Sequence, residues 1–228
     1  MFFRTPSTIQ VAGPSGSGKT VFVSKLLQKP HRYFRNLPDN IHYCYGIYQK
    51  GFDDLKKKGV HFHQGLPTLQ DLKRWFEPTH GGLLVLDDLM DEAGRDKSIL
   101  DLFTKDSNHR NITVIYLLQD LFPRGTYAKT ISRNAHYIVA FKSPRYQSAI
   151  RSIMTQMFPT YWRDALEAYN DATSEEYGYL MIDLHPASND KYRLFANILD
   201  DQGYTRTWRR TDESKRTRKK PLTRSRRV

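Results

Sequence analysis

The chain has little cysteine, no long apolar run and a deficit of acidic residues, and each shortage excludes something. Cys44 is the only cysteine among 228 residues. That excludes an internal disulfide and any metal site built from several thiolates, and it fits a reducing intracellular compartment. The longest clean apolar run, ITVIYLL at 112–118, falls well short of the roughly 18 residues that a membrane-spanning helix needs. The opening residues MFFRTPSTIQ show no charged region followed by a long apolar stretch, so no secretory signal and no membrane partner are expected. Asp and Glu number 24 against 36 Lys and Arg, a net charge of +12. The excess is uneven, because 11 basic and only 2 acidic residues lie from Arg206 onward. With few apolar anchors, residues 205–228 are expected to form a basic, disordered tail suited to nucleic acid or to a nuclear import receptor.

What remains is ordinary for a globular chain, 39% hydrophobic and 26% charged, and long enough for one domain plus a tail. Short runs rich in Val, Ile and Leu alternate with helix-like segments. Strands are expected at 8–12, 41–47, 60–63, 83–89, 112–119 and 135–141. Helices are expected at 20–28, at 68–76 behind Thr68 as N-cap, near 96–106 and near 126–132. This alternation predicts an α/β fold whose mainly parallel sheet is covered on both faces. After Pro144 two helical stretches, 146–157 and 160–170, precede strand-like runs at 177–184 and 192–198. The turn residues of HPASND between those runs predict a hairpin at a sheet edge. The domain is thus expected to span 1–204, with a core at 8–145 and an extension at 146–204.

Chemistry concentrates at three strand ends. Gly13, Pro14, Ser15, Gly16, Ser17, Gly18, Lys19 and Thr20 satisfy GxxxxGK[ST] between a strand and a helix. Glycines let backbone N–H groups wrap phosphate oxygens, the helix N-terminus adds partial positive charge, Lys19 neutralises phosphate, and the Thr20 hydroxyl suits Mg²⁺. A nucleoside triphosphate, ATP with Mg²⁺, is the expected ligand. LLVLDDL ends in two carboxylates: Asp87 is expected to hold Mg²⁺ through water, and Asp88 to polarise an attacking water. Gln119, at the tip of ITVIYLLQ, offers a neutral amide to the γ-phosphate or that water. A cation reaching the site from a neighbouring copy would speed hydrolysis. Arg110, at the opposite end of the Gln119 strand, is the first candidate for that arginine finger, with Arg133 and Arg124 as rivals. His61 and His63 share a strand face but lack a third ligand of suitable spacing, so no metal pair is expected. The aromatics of HYCYGIY are expected to serve core and loop packing.

VAGPSGSGKT, LLVLDDL and the strand ending LLQD, followed by SRNAHYIVAF, resemble the FtsK/HerA superfamily of P-loop ATPases over about residues 8–145. Within it they are most similar to the poxvirus-like genome-packaging ATPases of adintoviruses and Polinton/Maverick elements. The resemblance implies a P-loop NTPase three-layer sandwich of the additional-strand type, with the Gln119 strand between the P-loop (Walker A) and Walker B strands. It also implies a homo-oligomeric ring, a capsid or portal vertex partner, and ATP-driven movement of double-stranded DNA into a capsid. The corresponding location is the host nucleus or a viral factory, or the virion. Only 12 residues precede Gly13, so the N-terminal domain of many cellular translocases is not expected. No acidic cluster follows Pro144, so DNA cutting is not expected either. The segment DEAGRDK, 91–97, is the first candidate for gripping the phosphate backbone. Two other classes remain open: a nucleotide kinase or GTPase, against which the second acid and Gln119 count, and an ATP-dependent switch anchored to nucleic acid, as in a helicase loader or partition protein.

Overall fold

The computed structural model describes residues 2–37, 39–77, 80–122, 124–200 and 202–209, and the backbone of 223–227. In chain order, β1 (Thr8–Ala12) leads through the glycine-rich loop into α1 (Lys19–Gln28) and α2 (Pro30–Tyr33). Next come β2 (Ile41–Tyr45), α3 (Phe52–Lys56), β3 (His61–Gln64), α4 (Leu69–Trp75) and β4 (Gly82–Asp87). The short helices α5 (Met90–Ala93), α6 (Lys97–Asp101) and α7 (Ser107–His109) precede β5 (Ile112–Leu118), α8 (Ala128–Arg133) and β6 (Tyr137–Phe141). The remainder comprises α9 (Gln147–Met157), α10 (Trp162–Ala172), β7 (Tyr179–Asp183), β8 (Tyr192–Ala196), β9 (Thr205–Arg209) and β10 (Thr223–Arg227).

Among the described residues the strands form one sheet in the order β10-β9-β8-β7-β6-β1-β5-β4-β2-β3. The six strands from β6 to β3 run parallel. From β6 outward through β10 every pairing is antiparallel. β1, β4 and β5 are buried along their whole lengths, as strands covered on both faces must be. Because side chains alternate, each strand supplies both cores. Leu83 and Val85 join Ile9, Val11, Ile115 and Leu117 under α1, α2 and α3. Leu84 and Leu86 join Val114, Tyr116 and Leu118 under the helices of the other face, including α4, α8, α9 and α10. The helix α1 meets its core through Phe22, Val23, Leu26 and Leu27, an i, i+1, i+4, i+5 stripe.

The elements expected before Pro144 are all present, with a difference in the third helix. The continuous helix near 96–106 is interrupted by a π-helical turn, Leu102–Asp106, where the Ser107 N–H donates to the Leu102 carbonyl. Leu102 and Phe103 at this turn are both buried. Thr68 caps α4 as expected: its hydroxyl accepts from the Asp71 N–H at 3.1 Å, and the Asp71 carboxylate accepts from the Thr68 N–H at 3.0 Å. This is a reciprocal capping box.

The C-terminal part differs from expectation. β7 and β8 do pair antiparallel, but they are not the sheet edge, because β9 adds to β8 and β10 to β9. The basic tail was expected from residue 205, yet Thr205–Arg209 is a strand whose Thr207 and Trp208 are buried. Charge misleads here because one alternating apolar position is enough: Trp208 enters the core shared with α10, while Arg206 pairs with Asp171 of α10 at 3.3 Å. The tail residues 210–222 lie outside the described residues.

Candidate functional site

All six parallel strands end on one rim of the sheet, and the residues of interest collect there. Between β1 and α1 the chain turns through Gly16 (φ 77°) and Gly18 (φ 98°), left-handed conformations that glycine adopts without strain. Close approach constrains Gly13 instead: a Cβ there would lie 2.5 Å from Ser17 Oγ and 2.7 Å from Phe141 Cβ. The Lys19 ammonium donates to the carbonyls of Gly13 at 2.6 Å and Pro14 at 3.0 Å, so it lies over the loop that it follows. Burial lowers its pKa, opposed by the carboxylates of Asp87 and Asp88. Lys19 therefore senses both acids of the β4 tip.

The order β1-β5-β4 places the Gln119 strand between the strands bearing the phosphate loop and the paired acids. Asp87 continues the alternation of Leu83 and Val85, so it points toward α1. There its Oδ2 accepts from Thr20 Oγ1 at 3.3 Å and from the Tyr43 hydroxyl at 2.7 Å. Asp87 is only 5% exposed. Burial raises its pKa above the ordinary carboxylate value, against the opposing hydrogen bonds from Tyr43 and Thr20. Strict alternation would send Asp88 to the opposite face. Instead its backbone is left-handed, φ 56°, and the exposed carboxylate stays on the rim, where Oδ1 accepts from Gln119 Nε2 at 3.3 Å. Thr20, Asp87, Asp88, Lys19 and Gln119 thus converge, as their spacing predicted. The hard oxygens of Thr20 and Asp87, adjacent and beside a phosphate loop, suit a magnesium ion that keeps several of its waters.

Four residues whose part in the site sequence reasoning passed over shape this arrangement. Tyr43 was read as packing, and its ring is indeed fully buried, but its hydroxyl is also the shortest hydrogen bond to Asp87. The signal was its register: Tyr43 pairs with Val85, two residues before Asp87 and on the same face. Gly46 donates its N–H to the Asp87 carbonyl at 3.0 Å, and a Cβ on it would lie 2.5 Å from the Asp88 carbonyl oxygen. The Tyr146 hydroxyl donates to the Gln119 carbonyl, and Tyr169 of α10 donates to the Phe141 carbonyl at 3.0 Å. Both tyrosines tie the rim to the C-terminal helices, and no motif announces them.

The arginines are dispersed. Arg110 is half-buried at the far end of β5, where its guanidinium donates to the Phe76 carbonyl at 3.5 Å. Arg133 is exposed at the end of α8, just before β6 begins, and so also at the far rim. Arg124 is exposed in the loop after Gln119, on the rim of the phosphate loop. In the 91–97 segment, Arg95 and Lys97 are exposed, while Gly94 is anchored by the Tyr127 N–H at 3.0 Å. His61 stacks on His42 with ring centroids 5.0 Å apart. Among the described residues, no group of three or more His, Cys, Asp or Glu is placed to hold a metal ion, and no helix is long and apolar enough to cross a membrane.

The strand order, the loop between β1 and α1 and the acids at the β4 tip define an α/β P-loop fold of the additional-strand type. Among solved structures the chain is similar to the genome packaging NTPase B204 from Sulfolobus turreted icosahedral virus 2. In complex with AMPPCP that protein aligns at 13% identity and a TM-score of 0.47, covering 78% of this chain and 93% of that one. Its ATP-gammaS complex gives the same identity and TM-score over 78% and 92%. The AMP complex gives 12% and 0.45 over 78% and 93%. No protein-family profile matches the chain, and no curated protein does.

Proposed function

We propose that the chain is an ATPase that uses hydrolysis to move double-stranded DNA into a viral capsid, working as a ring of identical subunits docked on a capsid or portal vertex. The observation that carries the hydrolytic part is the convergence of two differently prepared carboxylates on one phosphate loop. Asp87 is buried and hydrogen-bonded to Tyr43 and Thr20, and Asp88 is exposed and hydrogen-bonded to Gln119. A nucleotide kinase needs no dedicated activator of water, because its acceptor brings its own nucleophile.

In this reading the N–H groups of the loop and Lys19 hold the phosphates of ATP. Thr20 and Asp87 hold Mg²⁺, Asp87 through water, and the ion, when bound, neutralises charge that develops on the phosphate oxygens. Tyr43 fixes the orientation of the Asp87 carboxylate. Asp88 accepts the proton of the attacking water, and the Gln119 amide orients that water and Asp88 together. Arg110, with Arg133 and Arg124 as rivals, would supply the cation to a neighbouring subunit. The first two lie at the rim far from their own subunit's loop, so their service would be to another's. Exposed Arg95 and Lys97 and the basic residues beyond Arg209 are the surfaces for phosphate backbone, a sequence-independent partner. The host nucleus, a viral factory or the virion is the corresponding location.

The test is steady-state ATP hydrolysis with and without long double-stranded DNA, for wild type and Asp88→Asn. Hydrolysis stimulated by DNA and lost in the variant, with ATP binding kept, supports the motor. ATP binding by an assembled oligomer without turnover under any condition replaces the motor with a nucleotide-dependent switch.

A further inference from the structure

Beside the phosphate loop, on the side away from Asp87, lies a cavity of about 540 Å³. Its floor is Gly18, Thr20, Val21 and Phe22, and its wall is aromatic, with Phe141, Tyr177 and Tyr179. The antiparallel half of the sheet builds this wall. β7 runs opposite to β6, so the segment entering β7 lies on the rim where β6 ends, and the segment leaving β8 returns to the same rim. These two segments bring Tyr177 and Leu199 to the cavity. Tyr177 is 59% exposed and Val21 61%, so both present apolar surface to solvent beside the phosphate loop. The Tyr177 ring abuts the last loop glycine: a Cβ on Gly18 would lie 3.2 Å from its Cδ1. Its backbone is left-handed, φ 57°, which is uncommon for a bulky residue and is held here by surrounding structure. The Gly178 N–H closes a turn onto the Glu175 carbonyl at 3.2 Å, and the Lys142 N–H donates to the Gly178 carbonyl at 3.3 Å. Those bonds fix the loop so that the ring is presented beside Gly18 rather than packed away.

We infer that this cavity takes the purine base of the nucleotide, with Tyr177 as the platform on which the base stacks. The inference rests on the nucleotide reading above and adds what that reading lacks, a reason for the chain to distinguish a nucleoside triphosphate from bare polyphosphate. An aromatic face binds a base by its π surface, and more so a purine than the smaller pyrimidine. The lining includes no carboxylate, and the neighbouring Glu176 carboxylate is engaged by a hydrogen bond with the Tyr177 side chain, so guanine's N1–H and amino donors find no charged acceptor in the lining. The Gln49 side chain, also in the lining, carries both a donor and an acceptor, as an adenine edge requires.

The test is titration calorimetry in magnesium buffer with ATP, CTP and inorganic tripolyphosphate, for wild type, Tyr177→Asn and Tyr177→Phe. Asparagine tolerates the left-handed backbone, so that variant removes the ring without adding strain, and phenylalanine keeps the ring. The expected result is that wild type binds ATP more tightly than CTP or tripolyphosphate. Tyr177→Asn should weaken ATP binding about tenfold without changing tripolyphosphate binding, and Tyr177→Phe should match wild type. Equal weakening of ATP and tripolyphosphate in Tyr177→Asn, or no weakening of either, overturns the base platform and leaves the phosphate site standing. Failure of wild type to bind either ligand removes the nucleotide reading and the base pocket with it.

Discussion

The Tyr43 hydroxyl donates to Asp87 Oδ2 across 2.7 Å in the interior of the sheet's helix-covered face. Without that bond the buried carboxylate would have a side-chain hydrogen bond from Thr20 alone. Burial already pushes the Asp87 pKa up, and removing the hydroxyl pushes it further, since the bond favours the charged form. Tyr43→Phe should therefore weaken magnesium-dependent ATP binding roughly tenfold, the equivalent of one charge-assisted hydrogen bond. The loss should be larger at pH 5 than at pH 8, because protonated Asp87 no longer serves the ion. Equilibrium titrations at the two pH values check this.

Asp87 also implies a trade between stability and binding. A carboxyl whose folded pKa lies above its unfolded one stabilises the fold at low pH and loses that contribution as pH rises through the folded value. At pH 7 the ionised Asp87 is therefore a burden on the fold. Asp87→Asn should raise Tm by about 2–4 °C at pH 7, with the gain vanishing near pH 3, while magnesium-dependent ATP binding is lost. Thermal unfolding across that pH range reads the first effect, and calorimetry the second.

Asp88→Asn keeps the left-handed backbone, which Asn adopts as readily as Asp, and removes the proton acceptor. Hydrolysis should fall by about 10²–10⁴-fold, the range for general base catalysis, with ATP affinity within about twofold of wild type. Single-turnover hydrolysis alongside a binding isotherm separates the two quantities.

Gly46→Ala places a methyl 2.5 Å from the Asp88 carbonyl oxygen, a backbone atom that cannot rotate away. The rim must shift, at a cost of about 1–3 kcal/mol in stability. Asp88 should move with it, so that turnover falls although Lys19, Thr20 and Asp87 are untouched. Urea denaturation and the same kinetic pair check this, and unchanged turnover would separate Gly46 from Asp88.

Trp208→Ala tests whether β9 belongs to the folded unit. Trp208 is 7% exposed and shares a core with α10, so truncation should cost about 3–5 kcal/mol. A shift in the urea midpoint reads it.

The parallel half of the fold and the positions of the candidate site residues at its strand ends were legible because their signals are local. Runs such as LLVLD and ITVIYLL are apolar on both faces and admit little besides a buried strand, and the glycine-rich loop carries its own geometry. The resemblance to additional-strand ATPases supplied the order β1-β5-β4, which local patterning alone does not contain. Tyr43, Gly46 and Tyr146 were illegible for the opposite reason. Each acts through a partner that is near in tertiary space and distant in sequence, as with Tyr43 and Asp87 or Tyr146 and Gln119. The strand 205–209 was hidden by composition: five residues with two arginines read as tail until Thr207 and Trp208 are seen to alternate into the sheet.

The backbone at Asp88 also bears on which acid can stand there. Left-handed φ is tolerated by Asp, whose short side chain bonds locally, far better than by longer or branched residues. Glutamate would bring the same charge on a longer arm with a poorer fit to that conformation. The identity of the second acid is in this sense chosen by the main chain: the bend that keeps the carboxylate on the rim narrows the side chains that can carry it, and a swap of one acid for the other here is not conservative.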